Sequence, residues 1–558
     1  MSVILSGIRD ELRGLVSSAL NSAMDEGLLP QAEIPAFSID IPQNTSFGDY
    51  AVNAAMVGAR TFRKAPPVIA QIIVDKMSLA GTSFERVEIA AGFLNFFLTK
   101  NFWPSVVQEV LDKKEAYGRS DFGQGKKVLL EFVSANPTGP MHIGNARGGA
   151  LGDCLASVMD FAGYTVSREF YVNDAGNQIE KFAVSLASRY MQIFCEGDYA
   201  FPEDGYQGED IKVLAMEFAD IHGDFYTKDF DLLKKDIVAY ALPKNIAELE
   251  ENLARYRIVY DKWFRESELY KTGEIKETIA LLTEKGLTYE KDDALWYKAT
   301  ECGGEKDEVL VRANGNSTYF AADIAYHRNK FLRGFDLLIN VWGADHHGHV
   351  SRMKGAMEAI GFDPAGLHIV LMQMVRLLQD GVPIRVSKRT GKSITLVTLL
   401  DEVPVDAARL LFNLRDPNMQ FDFDLELAVK NSSENPVYYI QYAHARICSI
   451  LRNLENDSLP SSTSEDLLLL THPAEKELIR FMARFTDEIA AAAKEYDPSR
   501  VTRYVIELAG YFHKFYDSCR VKGVEPNLAA ARLSLCEAVR ITIANTLRIL
   551  NVSAPDSM

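Results

Sequence analysis

Residues 128–172 constrain the fold more than any other stretch. Val, Leu and Phe surround a single acid, Glu131, over 128–133, which reads as a buried strand. A loop stiffened by Pro137 and Pro140 follows, then a helix expected over about 144–162, then a second strand over 165–172. Strand, loop, helix and strand within some 45 residues is the spacing of a parallel βαβ unit. Residues 337–342 and 368–375 supply two more strands for the same sheet. Open parallel sheets bind ligands outside the carboxyl ends of their strands, where helix N-termini favour phosphate. Residues 134–153 occupy that position.

The rest of the chain is organised around this core. At 558 residues it exceeds what one hydrophobic core supports, so about three or four domains are expected. Residues 1–112 form a separable unit, with a helical pattern at Ile8, Leu12, Leu15, Val16 and Leu20 and an apolar run at 90–98. A charged, glycine-containing linker leads into an α/β unit at 120–400. Within it, 180–300 is rich in Lys, Glu and Asp at helical spacing and reads as a mostly helical insertion. From 405 to 558 no strand pattern is convincing. Amphipathic runs at Val501, Val505, Leu508, Phe512 and at Leu533, Cys536, Ile543, Leu547 predict a helix bundle.

Composition excludes several classes. No apolar run approaches the roughly 20 residues that span a bilayer, and the N-terminus lacks a signal-peptide pattern, so a cytoplasmic protein is expected. The six cysteines are scattered without a Cys-x-x-Cys pair, which argues against a disulfide framework and a structural zinc site. The net charge of −17 does not forbid RNA binding, which needs only a local basic face. Residues 430–548 hold about 15 bases and about 15 acids, so the acidity lies elsewhere.

In the loop after the first strand, Gly144 would let a ring or ribose approach the backbone, and His142 is placed to donate to a phosphate oxygen. A plain βα turn with a surface His would look similar, because a single glycine-rich turn is a weak signal. Arg385-Val386-Ser387-Lys388-Arg389-Thr390-Gly391 could likewise be a solvated turn. Gly391-Lys392-Ser393 resembles the end of a P-loop, but Val386 stands where that motif needs glycine. His346, His347 and His349 with Asp345 offer metal-ligand chemistry, yet their spacing does not supply a complete ligand set, and no metal is expected there.

The frame Asn-Pro-Thr-Gly-Pro-Met-His142-Ile143-Gly144-Asn145-Ala-Arg-Gly resembles the His-Ile-Gly-His signature of class I aminoacyl-tRNA synthetases, and the arginyl-tRNA synthetases in particular. The signature covers 135–145, with Asn145 in its last place. Residues 385–389 resemble the second signature, Lys-Met-Ser-Lys, with Arg385 and Val386 as departures. The resemblance implies a multidomain α/β protein. Its parts would be a Rossmann-like parallel-sheet core, an N-terminal α+β domain, the helical insertion and a C-terminal anticodon-binding helix bundle. It also implies ligation of L-arginine to tRNA-Arg through arginyl-adenylate, with ATP and Mg2+, in a monomer.

The site residues follow from the same resemblance. His142, Asn145 and Lys388 would be catalytic. Gly144, Asp345, His346 and Ser387 would join them around ATP. Ser134 and Asn136 would hold the α-amino end of arginine, and Tyr319, Asp323 and Asp345 its side chain, since a guanidinium presents paired donors to carboxylates. Asn173, Asp174 and Gln178 would line the same cleft. Asn95, Tyr439 and Met558 would meet tRNA. The rivals are a class I synthetase for another amino acid, a silent RNA-binding homologue suggested by Asn145 and Arg385, and a metal-dependent nucleotide hydrolase suggested by the histidine cluster.

Overall fold

The computed structural model describes residues 3–42, 45–195, 199–384, 394–454 and 462–558. A five-stranded parallel sheet lies at its centre. In chain order the strands are β1 (Lys127–Glu131), β2 (Thr165–Val172), β3 (Lys262–Arg265), β4 (Leu337–Gly343) and β5 (Leu367–Met372). Their order across the sheet is β5-β4-β1-β2-β3. The order reverses between β1 and β4, and the crevice outside that pair is where an open sheet of this kind takes its ligand.

Helix α1 (Ile143–Phe161) joins β1 to β2 and is buried along almost its whole length. A β-carbon on Gly152 would stand 2.2 Å from the Phe132 ring, so helix and strand approach more closely than any other residue allows. The expected elements at 128–133, 144–162, 165–172, 337–342 and 368–375 all appear, with ends shifted by a few residues.

The stretch 180–300 holds more than helices. Asn177–Phe194, Glu209–His222 and Phe230–Arg255 pack around their own core of Phe182, Tyr190, Phe218 and Leu233. Then the chain returns to the sheet as β3. Lys-Trp-Phe-Arg is too short and too charged to show a strand period, which suits an edge position. A three-stranded antiparallel sheet follows, with Thr288–Lys291, Ala294–Tyr297 and Glu308–Val311. Beyond residue 405, where no strand was expected, Phe421–Asp424 pairs in parallel with Val375–Gln379 and buries Phe421 and Phe423.

The N-terminal unit is a four-stranded antiparallel sheet backed by helices Val3–Asp25, Ala54–Phe62 and Pro66–Lys76. The apolar run at 90–98 is not one element but the turn and second arm of a hairpin. Ala91 (φ 49°) and Gly92 (φ 86°) form its two-residue turn, which requires positive φ at both places. The C-terminal part is a bundle of Pro436–Leu454, Pro473–Ala483, Phe485–Glu495, Ser499–Ser518 and Pro526–Ile549.

Helix Val405–Phe412 ties these parts together. The fully buried Arg409 pairs with Asp153 of α1 and donates to the carbonyls of Tyr256 (2.9 Å) and Leu550 (3.0 Å). Asp406 accepts from Arg257 (2.6 Å) and from Gln441 of the bundle (2.9 Å).

Candidate active site

Residues 133–145 build the near side of the first corner of the crevice. Val133 (φ 69°) and Ser134 (φ 41°) are left-handed, which is costly for a β-branched residue and turns the chain sharply as it leaves β1. Asn245 donates to the Pro137 carbonyl (2.9 Å) and Tyr260 to the Phe132 carbonyl (3.0 Å), holding the loop from the insertion side. His142 caps α1: its Nδ1 accepts from the Gly144 backbone N–H (3.1 Å), while Asn145 Oδ1 accepts from the His142 N–H (3.0 Å). An accepting Nδ1 puts the ring proton on Nε2, leaving a donor on the other side of the ring. Partial burial lowers the His142 pKa, so the ring donates as a neutral imidazole.

These residues line a cavity of about 520 Å³ together with Ser134, Asn136, Thr138 and His346. Its far wall is Tyr206, Gln207 and Asp210 from the insertion. Sequence reasoning missed that wall, because polar residues in an irregular segment carry no local signal of what they face. Lys388 and Ser387, expected to complete this corner, lie outside the described residues, as does all of 385–393. The flanks of that segment are informative. Val382–Ile384 pairs with Val375–Gln379, and after the gap Thr395 bridges His142 while Leu396 N–H donates to the Met141 carbonyl (2.8 Å).

The second corner is assembled from distant pieces of chain at the end of β2. Tyr319 and Asp323 come from helix Tyr319–Leu332, Gln178 from the start of Asn177–Phe194, and Glu266 from the first turn of helix Glu266–Thr272, which follows β3 directly. Tyr319 Oη accepts from the Gln178 backbone N–H (3.2 Å), and His349 Nε2 donates to Asp323 Oδ2 (3.2 Å). Asp174 accepts from both the backbone N–H (2.8 Å) and hydroxyl (2.9 Å) of Ser267, so it fixes the turn that carries Glu266. The Asn173 amide, oriented to suit its two acceptors, donates to Glu266 Oε2 (2.8 Å) and the Ala175 carbonyl (3.1 Å).

Glu266 was not singled out in the sequence, and it is the most unusual group here. It is 2% exposed, its Oε1 has no partner, and burial raises its pKa to about 7. Tyr171 Oη and Gln178 Oε1 are also buried without partners. A β-carbon on Gly176 would sit 3.5 Å from the Tyr319 ring and 3.9 Å from Glu266 Oε1, so these side chains converge on one spot. Acceptors left open in a buried place suit a ligand rich in donors.

A buried network floors both corners. Ser134 Oγ donates to Glu131 (2.8 Å) and accepts from the Tyr171 N–H (3.1 Å). Glu131 pairs with the fully buried Lys330, which donates to Asn340 Oδ1 (3.0 Å). The Asn340 amide donates to His327 Nε2 (2.8 Å), whose Nδ1–H donates to the Asp323 carbonyl (2.8 Å). Burial, then the Lys330 charge, depress the His327 pKa and keep it neutral.

The remaining expected residues are dispersed. Asp345 is 82% exposed at its side chain and lies 3.7 Å from His346, outside the cavity lining. His346 and His349 turn to different carboxylates, so the cluster does not converge. Asn95 is 4% exposed on Phe93–Leu98. Tyr439 is half-buried against the bundle, its ring 4.9 Å from His513. Met558 lines a separate cavity of about 370 Å³ with Tyr442, Arg446, Arg452 and Tyr516, and Tyr442 rather than Tyr439 is the exposed aromatic there. Beside it His444, Cys448 and Asp556 bring ligand-type atoms within 4.8 Å of one another. They already satisfy each other's neighbourhood: Cys448 donates to Asp556 (3.4 Å) and His444 to the Pro555 carbonyl (2.9 Å), docking the C-terminal residues on the bundle.

Comparison with known proteins places this geometry in context. Residues 106–447 match the family described as tRNA synthetases class I (R), catalytic domain. Residues 10–98 match the arginyl tRNA synthetase N terminal domain, and 440–558 the DALR anticodon binding domain. The chain is 54% identical over 564 residues to the arginine–tRNA ligase of Caldanaerobacter subterraneus subsp. tengcongensis, covering all of both chains. It is 50% identical over 564 residues, again across both full lengths, to that of Acetivibrio thermocellus. Among solved structures, the Thermus thermophilus arginyl-tRNA synthetase superposes with a TM-score of 0.73 at 22% identity, covering 98% of this chain and all of that one, a likeness of fold.

Proposed function

The chain belongs to the arginyl-tRNA synthetases, ATP-using class I enzymes that ligate arginine to tRNA, and from that membership we propose which of its residues carry each step. The 520 Å³ cavity at the switch point is the ATP corner. The observation that carries this reading is the His142 cap: with Nδ1 accepting from Gly144, the neutral ring offers Nε2–H to a phosphate oxygen as charge develops at the α-phosphorus. Asn145, Gly144 and the N-terminus of α1 complete the phosphate contacts, with Mg2+ arriving as part of the nucleotide substrate. His346 borders the nucleotide from the short turn Ala344–His346 that follows β4.

The second corner takes arginine. Asp323, Glu266 and Tyr319 meet the guanidinium, Gln178, Asn173 and Asp174 shape and brace the pocket, and Ser134 and Asn136 face the α-amino end. The exposure of Asp345 leaves it a contact at the rim of the nucleotide and arginine sites. The arginine carboxylate attacks the α-phosphorus, the O–P bond to pyrophosphate breaks, and the terminal ribose hydroxyl of tRNA then takes the arginyl group from AMP. No side-chain nucleophile is required. Catalysis is positioning plus charge stabilisation.

Lys388 and Ser387 act on the leaving pyrophosphate. Six residues lie between Lys388 and Thr395, which bridges His142, so at most about 25 Å of extended chain separates the two. Residues 1–112, with Asn95, and the bundle 405–558, with Tyr439 and Met558 beside Tyr442, form the tRNA-facing domains flanking the 120–400 catalytic unit. The protein works as a cytoplasmic monomer. Among the described residues no helix is long and apolar enough to cross a membrane.

The test is Lys388→Ala in ATP-dependent activation and in charging. Activation should slow by about 10²–10³, the scale of losing one charge-stabilising group, with arginine KM nearly unchanged. Equal losses in both parameters would remove Lys388 from the pyrophosphate side.

A further inference from the structure

We propose that arginine binding is a proton-for-guanidinium exchange: Glu266 is a neutral acid in the empty pocket and releases its proton to solvent as the charged side chain enters. The inference rests on the reading of the second corner as the arginine pocket. It starts from a charge count. Three carboxyl groups, Asp174, Glu266 and Asp323, crowd this corner, and two are already served. Asp174 is held by Ser267 and faces Arg265 at 3.6 Å, and Asp323 takes a bond from His349. Glu266 has only neutral neighbours to serve it: the Asn173 amide on Oε2 and the buried Tyr171 hydroxyl, which makes no other bond, facing the carboxyl.

The groups facing Glu266 from other elements are Tyr171 and Asp174 at the end of β2 and Asp323 on helix Tyr319–Leu332. Tyr270 faces it from its own helix. None is a cation. A buried carboxylate with like charges beside it holds a proton until a positive partner replaces that proton. The raised pKa of Glu266 agrees with this geometry: burial is the first cause, the Tyr171 hydroxyl opposes it by favouring the charged form, and Asp323 and Asp174 add to it.

The sign follows from linkage. Below about pH 7 the empty site holds one proton more than the occupied site, so each binding event releases a proton and arginine affinity falls as pH falls. The limit is about tenfold in KM per pH unit, and the dependence flattens above pH 7. A neutral ureido isostere of arginine needs no ionised Glu266, so its binding releases nothing. Discrimination between the two side chains therefore grows with pH through this range, which makes the ionisation of Glu266 a determinant of specificity as well as of affinity.

The experiment is calorimetric titration of the full-length protein with arginine at pH 6.0 and 8.5, in buffers of differing ionisation enthalpy. Arginine KM and the Ki of the ureido analogue are measured over the same range. Close to one proton should be released at pH 6.0 and almost none at pH 8.5, and Glu266→Gln should abolish the release and flatten the KM profile. Release that persists in Glu266→Gln would assign the proton to the Asp323–His349 pair and overturn the proposal, as would binding at pH 6.0 without release. Should the variant fail to fold, the wild-type contrast decides: a ureido analogue whose Ki follows the same pH slope as arginine contradicts it. An arginine KM untouched in a folded Glu266→Gln protein would instead strike at the pocket assignment itself.

Discussion

The two corners of the cleft solve opposite problems with opposite materials. The proposed ATP corner centres on one run of chain, residues 133–145, made of backbone groups, small residues and a neutral histidine held by its own helix cap, with the insertion supplying only its far wall. The arginine corner draws on four separated segments and is made of carboxylates, phenols and amides, several left without partners. A phosphate chain can be held by a helix N-terminus and a few donors that local sequence dictates. A guanidinium must be met by charges that no local segment can supply alone, so tertiary packing has to gather and brace them. Damage to the bracing of the second corner alone, at Asp174, should therefore spare the first, while damage to the shared floor should reach both.

The largest expected effect tests that floor. Lys330→Met would leave Glu131 as an uncompensated buried charge beneath both corners, at a cost of about 3–5 kcal/mol in stability. The midpoint of chemical unfolding reads this, and adding Glu131→Gln should restore part of the loss. A midpoint that does not move would mean that the ion pair is not what holds the floor.

A smaller effect separates bracing from contact. Asp174→Ala removes both bonds to Ser267 and frees the turn that carries Glu266, a loss of about 1 kcal/mol typical of a helix cap. Arginine KM should rise several-fold while ATP KM stays put. A change confined to ATP would break the division between the corners.

The same division explains what could be read in the sequence. The strand at 128–133, the helix after it and the candidacy of His142 and Gly144 were legible because one contiguous segment encodes them, while Asn145 entered through the family signature. Tyr319, Asp323, Asn173, Asp174 and Gln178 came from family resemblance, and the structure brings them together near the end of β2. Glu266 was invisible: it follows a four-residue charged edge strand inside a stretch dominated by helical Lys, Glu and Asp. Phe421–Asp424 was missed because four residues carry too little period against a helical background. Tyr439 and Tyr442 sit three positions apart on one helix, and only packing against Ser499–Ser518 decides which is exposed.

The most direct measurement of the central claim is the steady-state kinetics of His142→Ala beside Asp323→Asn, each assayed for kcat and for the KM of arginine and ATP. His142→Ala should lower kcat by about 10²–10³ with arginine KM within about twofold of the parent. Asp323→Asn should raise arginine KM by about 10–100-fold, the cost of a lost charge-assisted bond of roughly 1.5–3 kcal/mol, with ATP KM unchanged. Two variants that moved the same parameter by similar factors would contradict the account and make the cleft one undivided site.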